Sequence, residues 1–191
     1  MKLKILITFI IYLFSSLLYS YSMANEEATY KIVHKTDIYE IRYYSDRLVV
    51  QAPSSIYSSE NSSFRKLFNY ISGENNIKEK IKMTIPVTQT RENNETFMQF
   101  YLPSKYTKET TPIPNNTDLE ITTIKEGFFA VIRYSGRASD ANFIKHTKLL
   151  KNKLLEDKVS INGPPIKATY NGPFTLPLLR RNESMFNVNW K

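Results

Sequence analysis

One order of predicted elements, a strand followed by an amphipathic helix and two further strands, occurs twice along this chain. In the first half, the leading strand covers residues 39–51 and the helix runs from residue 64 to Gly73. In the second half, the leading strand covers residues 128–136 and the helix follows Ser139. Two such halves can close their sheets on each other while each helix covers one of them, which buries both apolar helix faces. The sequence therefore predicts a mixed α+β fold.

Each predicted helix has one apolar face, because its apolar residues lie three and four positions apart. The first face consists of Phe64, Leu67, Phe68 and Ile71. The second face consists of Phe143, Thr147, Leu150 and Leu154. A serine before a helix can accept a hydrogen bond from a free amide of the first turn. Ser139 is predicted to cap the second helix in this way, and Ser62 or Ser63 the first.

The other predicted strands cover residues 81–90, 96–102, 119–125, 128–134, 166–170 and 185–190. The third and fourth of these are predicted to form a hairpin around Glu126 and Gly127. Pro86 has no backbone N–H to donate, so it predicts an edge or a bulge in its strand.

The start of the chain has the pattern of an export signal. Lys2 and Lys4 precede an apolar run over residues 5–18, and small residues at the end of segment 22–24 predict cleavage before Asn25. The apolar run is shorter than the about 20 residues that span a bilayer comfortably. A retained N-terminal anchor is the alternative.

Cleavage there gives a signal peptide at residues 1–24 and one domain at residues 25–191. Such a protein would be periplasmic or extracellular, without stable membrane insertion after cleavage. Loss of the two leading lysines lowers the net charge from +8 to +6. The Lys and Arg residues are scattered without an arginine-rich tract, which disfavours nucleic acid as a partner.

The chain contains no cysteine, which excludes thiolate catalysis, thiolate metal sites and covalent haem attachment through a C-x-x-C-H motif. Its two histidines, His34 and His146, stand alone in the sequence, and His34 is predicted to precede the first strand. No nucleophile lies beside a base in the pattern that covalent catalysis requires. These observations predict no catalytic residues and no metal site, and they favour a binding protein over an enzyme.

Six segments of the chain resemble the SOUL heme-binding proteins, and they occur in the family's order. These segments are residues 39–42 (Tyr-Glu-Ile-Arg), 64–75, 80–87 (Lys-Ile-Lys-Met-Thr-Ile-Pro-Val), 98–103, 134–136 and 170–183. The resemblance spans residues 30–190. It implies a distorted eight-stranded antiparallel β-barrel, built from two βαββ halves and flanked by two amphipathic helices. The same architecture occurs in small-molecule effector-binding domains of bacterial regulators.

The resemblance also implies reversible, non-covalent binding of haem or another porphyrin, although a fold alone does not establish a ligand. Tetrapyrrole contacts in the family lie along the first helix and near the closing loop. The corresponding residues here are Phe64, Phe68 and Asn69 in the helix, and Thr175, Leu176 and Leu178 in the loop. Leu67 adds to the apolar surface that Phe64 and Phe68 offer to a ligand.

Some family members carry cations on this helix that can meet the porphyrin propionates. The corresponding positions here are the neutral Asn61 and Asn69. Arg65 and Lys66 could substitute from the neighbouring face, because both side chains pair with carboxylates. Arg180 and Arg181 are alternatives, or they hold the closing loop in place.

The axial ligand is the least defined part of the predicted site. One branch of the family has histidine directly after the Tyr-Glu-Ile-Arg segment, where this chain has Tyr43. Tyrosinate can ligate ferric haem, but the phenol must first lose a proton with a pKa of about 10. Binding without an axial ligand, through apolar contact alone, fits the sequence best.

The sequence thus favours an exported carrier or buffer for a tetrapyrrole. A binding module for another amphipathic small molecule on the same fold is the second hypothesis. An enzyme that acts on a tetrapyrrole or a lipid is the third, and it has the least support.

Overall fold

The computed structural model describes residues 25–54, 60–92 and 95–191. The predicted signal peptide lies outside the described residues. Within them, neither helix has the length and apolarity that crossing a membrane requires.

The described chain contains eleven strands and two α-helices. The helices are α1 (Glu60–Ile71) and α2 (Asp140–Glu156), and a short 3-10 turn covers Pro177–Leu179. The strands are β1 (Glu26–Glu27), β2 (Lys31–Lys35), β3 (Glu40–Tyr44), β4 (Arg47–Pro53), β5 (Thr84–Ile85), β6 (Val87–Glu92), β7 (Glu95–Tyr101), β8 (Glu120–Ile124), β9 (Gly127–Tyr134), β10 (Ser160–Thr169) and β11 (Asn182–Asn189). Pro86 separates β5 from β6, which agrees with the interruption predicted there.

Nine of these strands form one antiparallel sheet in the order β2-β3-β9-β11-β10-β6-β7-β4-β8. The two predicted halves are arranged alike within this sheet. In the first half, β4-α1-β6-β7 along the chain, the strands lie side by side in the order β6-β7-β4. In the second half, β9-α2-β10-β11 along the chain, the strands lie in the equivalent order β10-β11-β9. Pairing of β10 with β6 joins the halves. The α+β class and the repeated element order are therefore confirmed. Among the described strands the hydrogen-bonded order ends at β2 and β8, so a closed eight-stranded barrel is not observed.

The hairpin predicted around Glu126 and Gly127 is wrong. β8 pairs with β4, whereas β9 pairs with β3 and β11, so the chain continues from one ladder into the next instead of reversing. The side chain of Asp46, between β3 and β4, explains this path. Its Oδ1 accepts a hydrogen bond from the backbone N–H of Glu126 at 2.7 Å, which ties the two junctions side by side.

The helices cover the sheet as their apolar faces predict. Leu67 of α1 packs in a core cluster with residues of β4 and β7, and Leu150 and Leu154 of α2 pack on β9 and β11. Ser139 caps α2 as predicted, because its Oγ accepts a hydrogen bond from the Asn142 N–H. α1 starts earlier than predicted, so Ser62 and Ser63 lie inside it and do not cap it.

Candidate functional site

Two phenylalanines on one flank of α1 form an exposed apolar pair. Phe64 is 40% exposed and Phe68 is 49% exposed, and their rings stack with centroids 6.1 Å apart. Phe64 also packs edge-on against Phe100 of β7, at 5.2 Å between centroids. Leu67 and Ile71, on the same predicted face, are buried in the core and offer a ligand no surface. The apolar face of α1 is therefore wider than the core needs, and its outer edge remains open.

The other flank of α1 fixes the direction in which the phenylalanines face. Lys66 Nζ lies 2.7 Å from Asp118 Oδ2, and Asp118 lies two residues before the start of β8. β8 and β7 lie on opposite sides of β4, so the phenylalanine flank points across β7 toward the middle of the sheet. Arg65 is exposed and Asn69 is half-exposed. Thus Lys66 is placed away from the phenylalanine pair.

The register of the sheet shows what lies beside the phenylalanine pair. Phe100 pairs with Val87 of β6, and Val87 pairs with Thr169 of β10. Residues in register on neighbouring strands point to the same face, and the strands are about 4.8 Å apart, so Phe100 and Thr169 are separated by roughly 10 Å. Thr169 is the last residue of β10, and the loop that follows it begins at the same edge.

We call the strip of sheet between α1 and this loop the trough, and its floor consists of Val87, Gln89, Lys167 and Thr169. Lys167 is a buried cation in the floor, and its Nζ lies 2.9 Å from Asp140 Oδ1 in the first turn of α2. None of the floor residues is predicted from the sequence, because their position depends on the pairing of two strands that are distant along the chain. A β-branched or alternating pattern predicts a strand but does not identify its neighbour.

The closing loop, residues 170–181, is braced by hydrogen bonds. Arg180 Nε donates to the backbone carbonyl of Thr175 at 2.8 Å, and its guanidinium also donates to the carbonyl of Pro173. The N–H of Gly136 donates to the carbonyl of Pro177 at 2.8 Å, which ties the loop to the connection between β9 and α2. Arg180 therefore holds the closing loop in place, which is one of the two roles that the sequence suggests for it. The apolar loop side chains Phe174, Leu176, Leu178 and Leu179 are exposed.

A family model described as SOUL heme-binding protein matches residues 25–187. The chain belongs to the SOUL family. No curated protein matches its sequence. The fold is similar to the C-terminal domain of EcmrR, with a TM-score of 0.60 and 11% identity over 84% of this chain and 98% of that one. It is also similar to a hydrolase from Listeria innocua, with a TM-score of 0.58 and 9% identity over 82% of this chain and 94% of that one. At these identities the two likenesses show the fold alone.

Tyr43 of this SOUL chain lies away from the trough. It lies on β3, three positions from β10 of the trough floor in the sheet order, and its ring packs on Phe128 at 5.2 Å between centroids. Its hydroxyl donates a hydrogen bond to the carboxylate of Glu126, which raises the pKa of Tyr43. A tyrosinate ligand requires a lowered pKa, so this environment acts in the opposite direction.

The two histidines of the SOUL chain lie in separate places. His146 of α2 stacks on Tyr134 at 4.0 Å between centroids, and its Nδ1 lies 2.8 Å from the backbone carbonyl of Asn142. His34 lies within β2, so the prediction that it precedes the first strand is wrong, and its ring packs near Trp190. Among residues 25–54, 60–92 and 95–191, no cluster of three or more potential ligands could hold a metal ion.

Several residues of the SOUL-like segments form one buried ion-pair network. Glu183 is fully buried, and its carboxylate accepts hydrogen bonds from Arg42 Nη1 at 3.0 Å, Arg181 Nε at 3.0 Å and the Tyr170 hydroxyl at 2.7 Å. Burial and the neighbouring carboxylate raise the pKa of Tyr170 well above its usual value, which keeps its hydroxyl a donor. Arg181 also pairs with Glu27 at 2.7 Å, which attaches the N-terminal segment. This network joins distant parts of the chain.

Proposed function

We propose that this SOUL protein binds haem or a related tetrapyrrole non-covalently in the trough, mainly by apolar contact. The observation that carries the proposal is the exposed pair Phe64 and Phe68, which faces the middle of the sheet from α1. A flat apolar ligand laid against these rings would remove their exposed surface from water, at about 25 cal/mol per Å². Membership of a family described as heme-binding supports the same ligand class.

The closing loop supplies the second set of proposed contacts, through Thr175, Leu176 and Leu178. It follows Thr169 at the edge of the trough, and both leucines are exposed. Arg65, exposed one position after Phe64, is the proposed partner for a propionate, because arginine forms charge-assisted hydrogen bonds with carboxylates.

The proposed biological role is that of an exported carrier or buffer. The N-terminal pattern supports cleavage of residues 1–24, and the mature domain would then be residues 25–191 in the periplasm or outside the cell. We further propose that the sheets of the two halves curve toward each other and form the predicted eight-stranded barrel. The continuous passage from the β3–β9 ladder into the β4–β8 ladder supports this shape. No catalytic role is proposed.

Titration with hemin tests the proposed function. Residues 25–191, which contain every described strand and helix, are expected to shift the Soret band of hemin in a saturable manner at micromolar concentrations. Metal-free protoporphyrin is expected to bind with similar affinity, because the proposed contacts need no iron ligand. The absence of any saturable shift would contradict tetrapyrrole binding. Strong binding of hemin without binding of protoporphyrin would contradict the apolar mode and favour an axial ligand.

Replacement of Tyr43 by phenylalanine separates the axial-ligand question from binding itself. We expect Tyr43→Phe to leave both the hemin affinity and the position of the Soret band unchanged, since Tyr43 lies three strand positions from β10 of the trough floor and its hydroxyl is bound to Glu126. Absorbance spectra of the ferric complex measure both quantities. Loss of a charge-transfer band in this variant would show that Tyr43 ligates the iron.

A second candidate function is binding of another amphipathic small molecule in the same trough. It is favoured by the neutral Asn61 and Asn69, where some family members have cations, and by the pairing of Lys66 with Asp118. Competition between hemin and a panel of apolar carboxylates and steroids distinguishes the two. Displacement of hemin at comparable concentrations supports the second candidate, whereas a strong preference for hemin rules it out.

A further inference from the structure

The closing loop presents four large apolar side chains to water within six residues. Phe174 is 97% exposed and Leu178 is 86% exposed, and Leu176 and Leu179 are exposed by more than half. Single apolar residues on a surface are ordinary, but a contiguous group of this size marks an interaction site. Phe174 and Leu179 are not among the proposed tetrapyrrole contacts.

The hydrogen bonds of the loop keep these side chains outward. Arg180 donates to the carbonyls of Pro173 and Thr175, and Arg181 N–H donates to Asn171 Oδ1 at 2.7 Å. The Leu179 N–H donates to the carbonyl of Leu176 at 2.9 Å, which closes the 3-10 turn. A loop fixed at these points cannot fold back onto the protein to bury its apolar residues without breaking several of these bonds.

The charged side chains that line the cleft at the base of the loop are positive. The open cleft beside it is lined by the loop and by Arg137, Ala138 and Ser139, and its two titratable groups are Arg137 and Arg180. The chain from Asn25 onward also carries a net charge of +6, since removal of Lys2 and Lys4 lowers the +8 of the full sequence by two. Anionic headgroups attract such cations near a membrane surface.

We propose that the closing loop inserts its apolar tip into the surface of an anionic lipid bilayer, while Arg137 and Arg180 meet the headgroups. Apolar side chains at the tip of a loop, with cations at its foot, are typical of anchoring at a membrane interface. There the burial of apolar area and the attraction to anionic lipid both contribute to the binding free energy. A protein partner fits less well, because a stable interface buries about 800 Å² on each side and one narrow loop offers less than that. Phe174 and Leu179 belong to the tip but not to the proposed tetrapyrrole contacts, so insertion can be tested separately from tetrapyrrole binding.

Sedimentation with lipid vesicles tests the proposal in the absence of any porphyrin. Residues 25–191 are expected to sediment with vesicles of phosphatidylglycerol and phosphatidylcholine, and to do so less with phosphatidylcholine alone or in high salt, which screens the arginines. The double variant Phe174→Ser/Leu179→Ser is expected to lower the partition coefficient at least about tenfold, which corresponds to about 1.4 kcal/mol.

The matched control is Ile113→Ser, because Ile113 is comparably exposed but lies outside the closing loop. It is expected to partition like the parent, and circular dichroism checks that both variants are folded. Equal partition of the parent and the loop variant would overturn the proposal. So would a parent that dimerises through Phe174 and Leu179 and does not bind vesicles, which would make the loop a protein interface. Loss of vesicle binding with unchanged hemin affinity separates this inference from the proposed function.

Discussion

Replacement of Glu183 by glutamine is expected to lower the free energy of unfolding by about 3 kcal/mol, because removing one partner of a buried ion pair leaves the other charge uncompensated. The carboxylate of Glu183 is fully buried and accepts bonds from Arg42, Arg181 and Tyr170. An amide of the same size keeps one acceptor oxygen but turns an NH₂ group toward donors. This loss of stability is at the low end of the range of about 3–5 kcal/mol for breaking a buried ion pair. The reason is that Arg42 still pairs with Glu40 and Arg181 still pairs with Glu27.

Denaturant unfolding measures this change, and Glu156→Gln is the matched control. Glu156 is exposed and pairs only with Lys153 one turn earlier in α2 among the contacts described. Surface substitutions of this kind change stability by about 0.5 kcal/mol or less. A loss below about 1 kcal/mol for Glu183→Gln would show that the network contributes little to stability. The double variant with Arg42→Gln is expected to be less destabilised than the sum of the two single variants, because the residues are in direct contact.

The double variant Phe64→Ser/Phe68→Ser is expected to weaken hemin binding about 30-fold. Full burial of a phenylalanine is worth about 1.5–3 kcal/mol, and about half of each ring remains for a ligand to cover. Each ring then contributes about 1 kcal/mol, and about 2 kcal/mol for the pair corresponds to roughly a 30-fold change in Kd. Absorbance titration with hemin measures the affinity of the parent and the variant.

Leu155→Ser is the matched control for this pair. Leu155 is exposed at the end of α2, beside Asp157, which accepts a hydrogen bond from Tyr39 on the β3 side of the sheet. We expect this control to bind hemin like the parent. Phe64 also packs on Phe100, so the single variant Phe68→Ser, which keeps that contact, separates loss of the ligand surface from loss of stability. Unchanged affinity in a folded double variant would place the ligand elsewhere.

Local patterns in the sequence predict the elements well, because they depend on residues that are close along the chain. Ser139 caps α2, and Leu150 and Leu154 lie on its buried face, as their spacing predicts. The repeated order of strand, helix and two strands is also visible, since each element has its own periodicity. The exposed edge of α1 is partly foreseen, because Phe64 and Phe68 extend an apolar face that Leu67 already fills.

Pairing between distant strands is not predictable in this way. Glu126-Gly127 has the composition of a turn, but the chain runs on there because Asp46, far away in sequence, binds the junction. The floor of the trough depends on the register of β6 against β10. β2 is missed altogether, although Ile32 and Val33 are β-branched residues typical of strands.

The position of β2 has a consequence for self-association. Among the described strands β2 pairs only with β3, so its other side leaves backbone N–H and C=O groups unpaired, and all five of its side chains are exposed. Such an edge can template the addition of another chain, and lysines on the edge oppose it. In an antiparallel, symmetric contact Lys31 of one copy would face Lys35 of the other at both ends of the strand. Pairing of two copies through this edge would bring those like charges together, so the two lysines oppose dimerisation through β2.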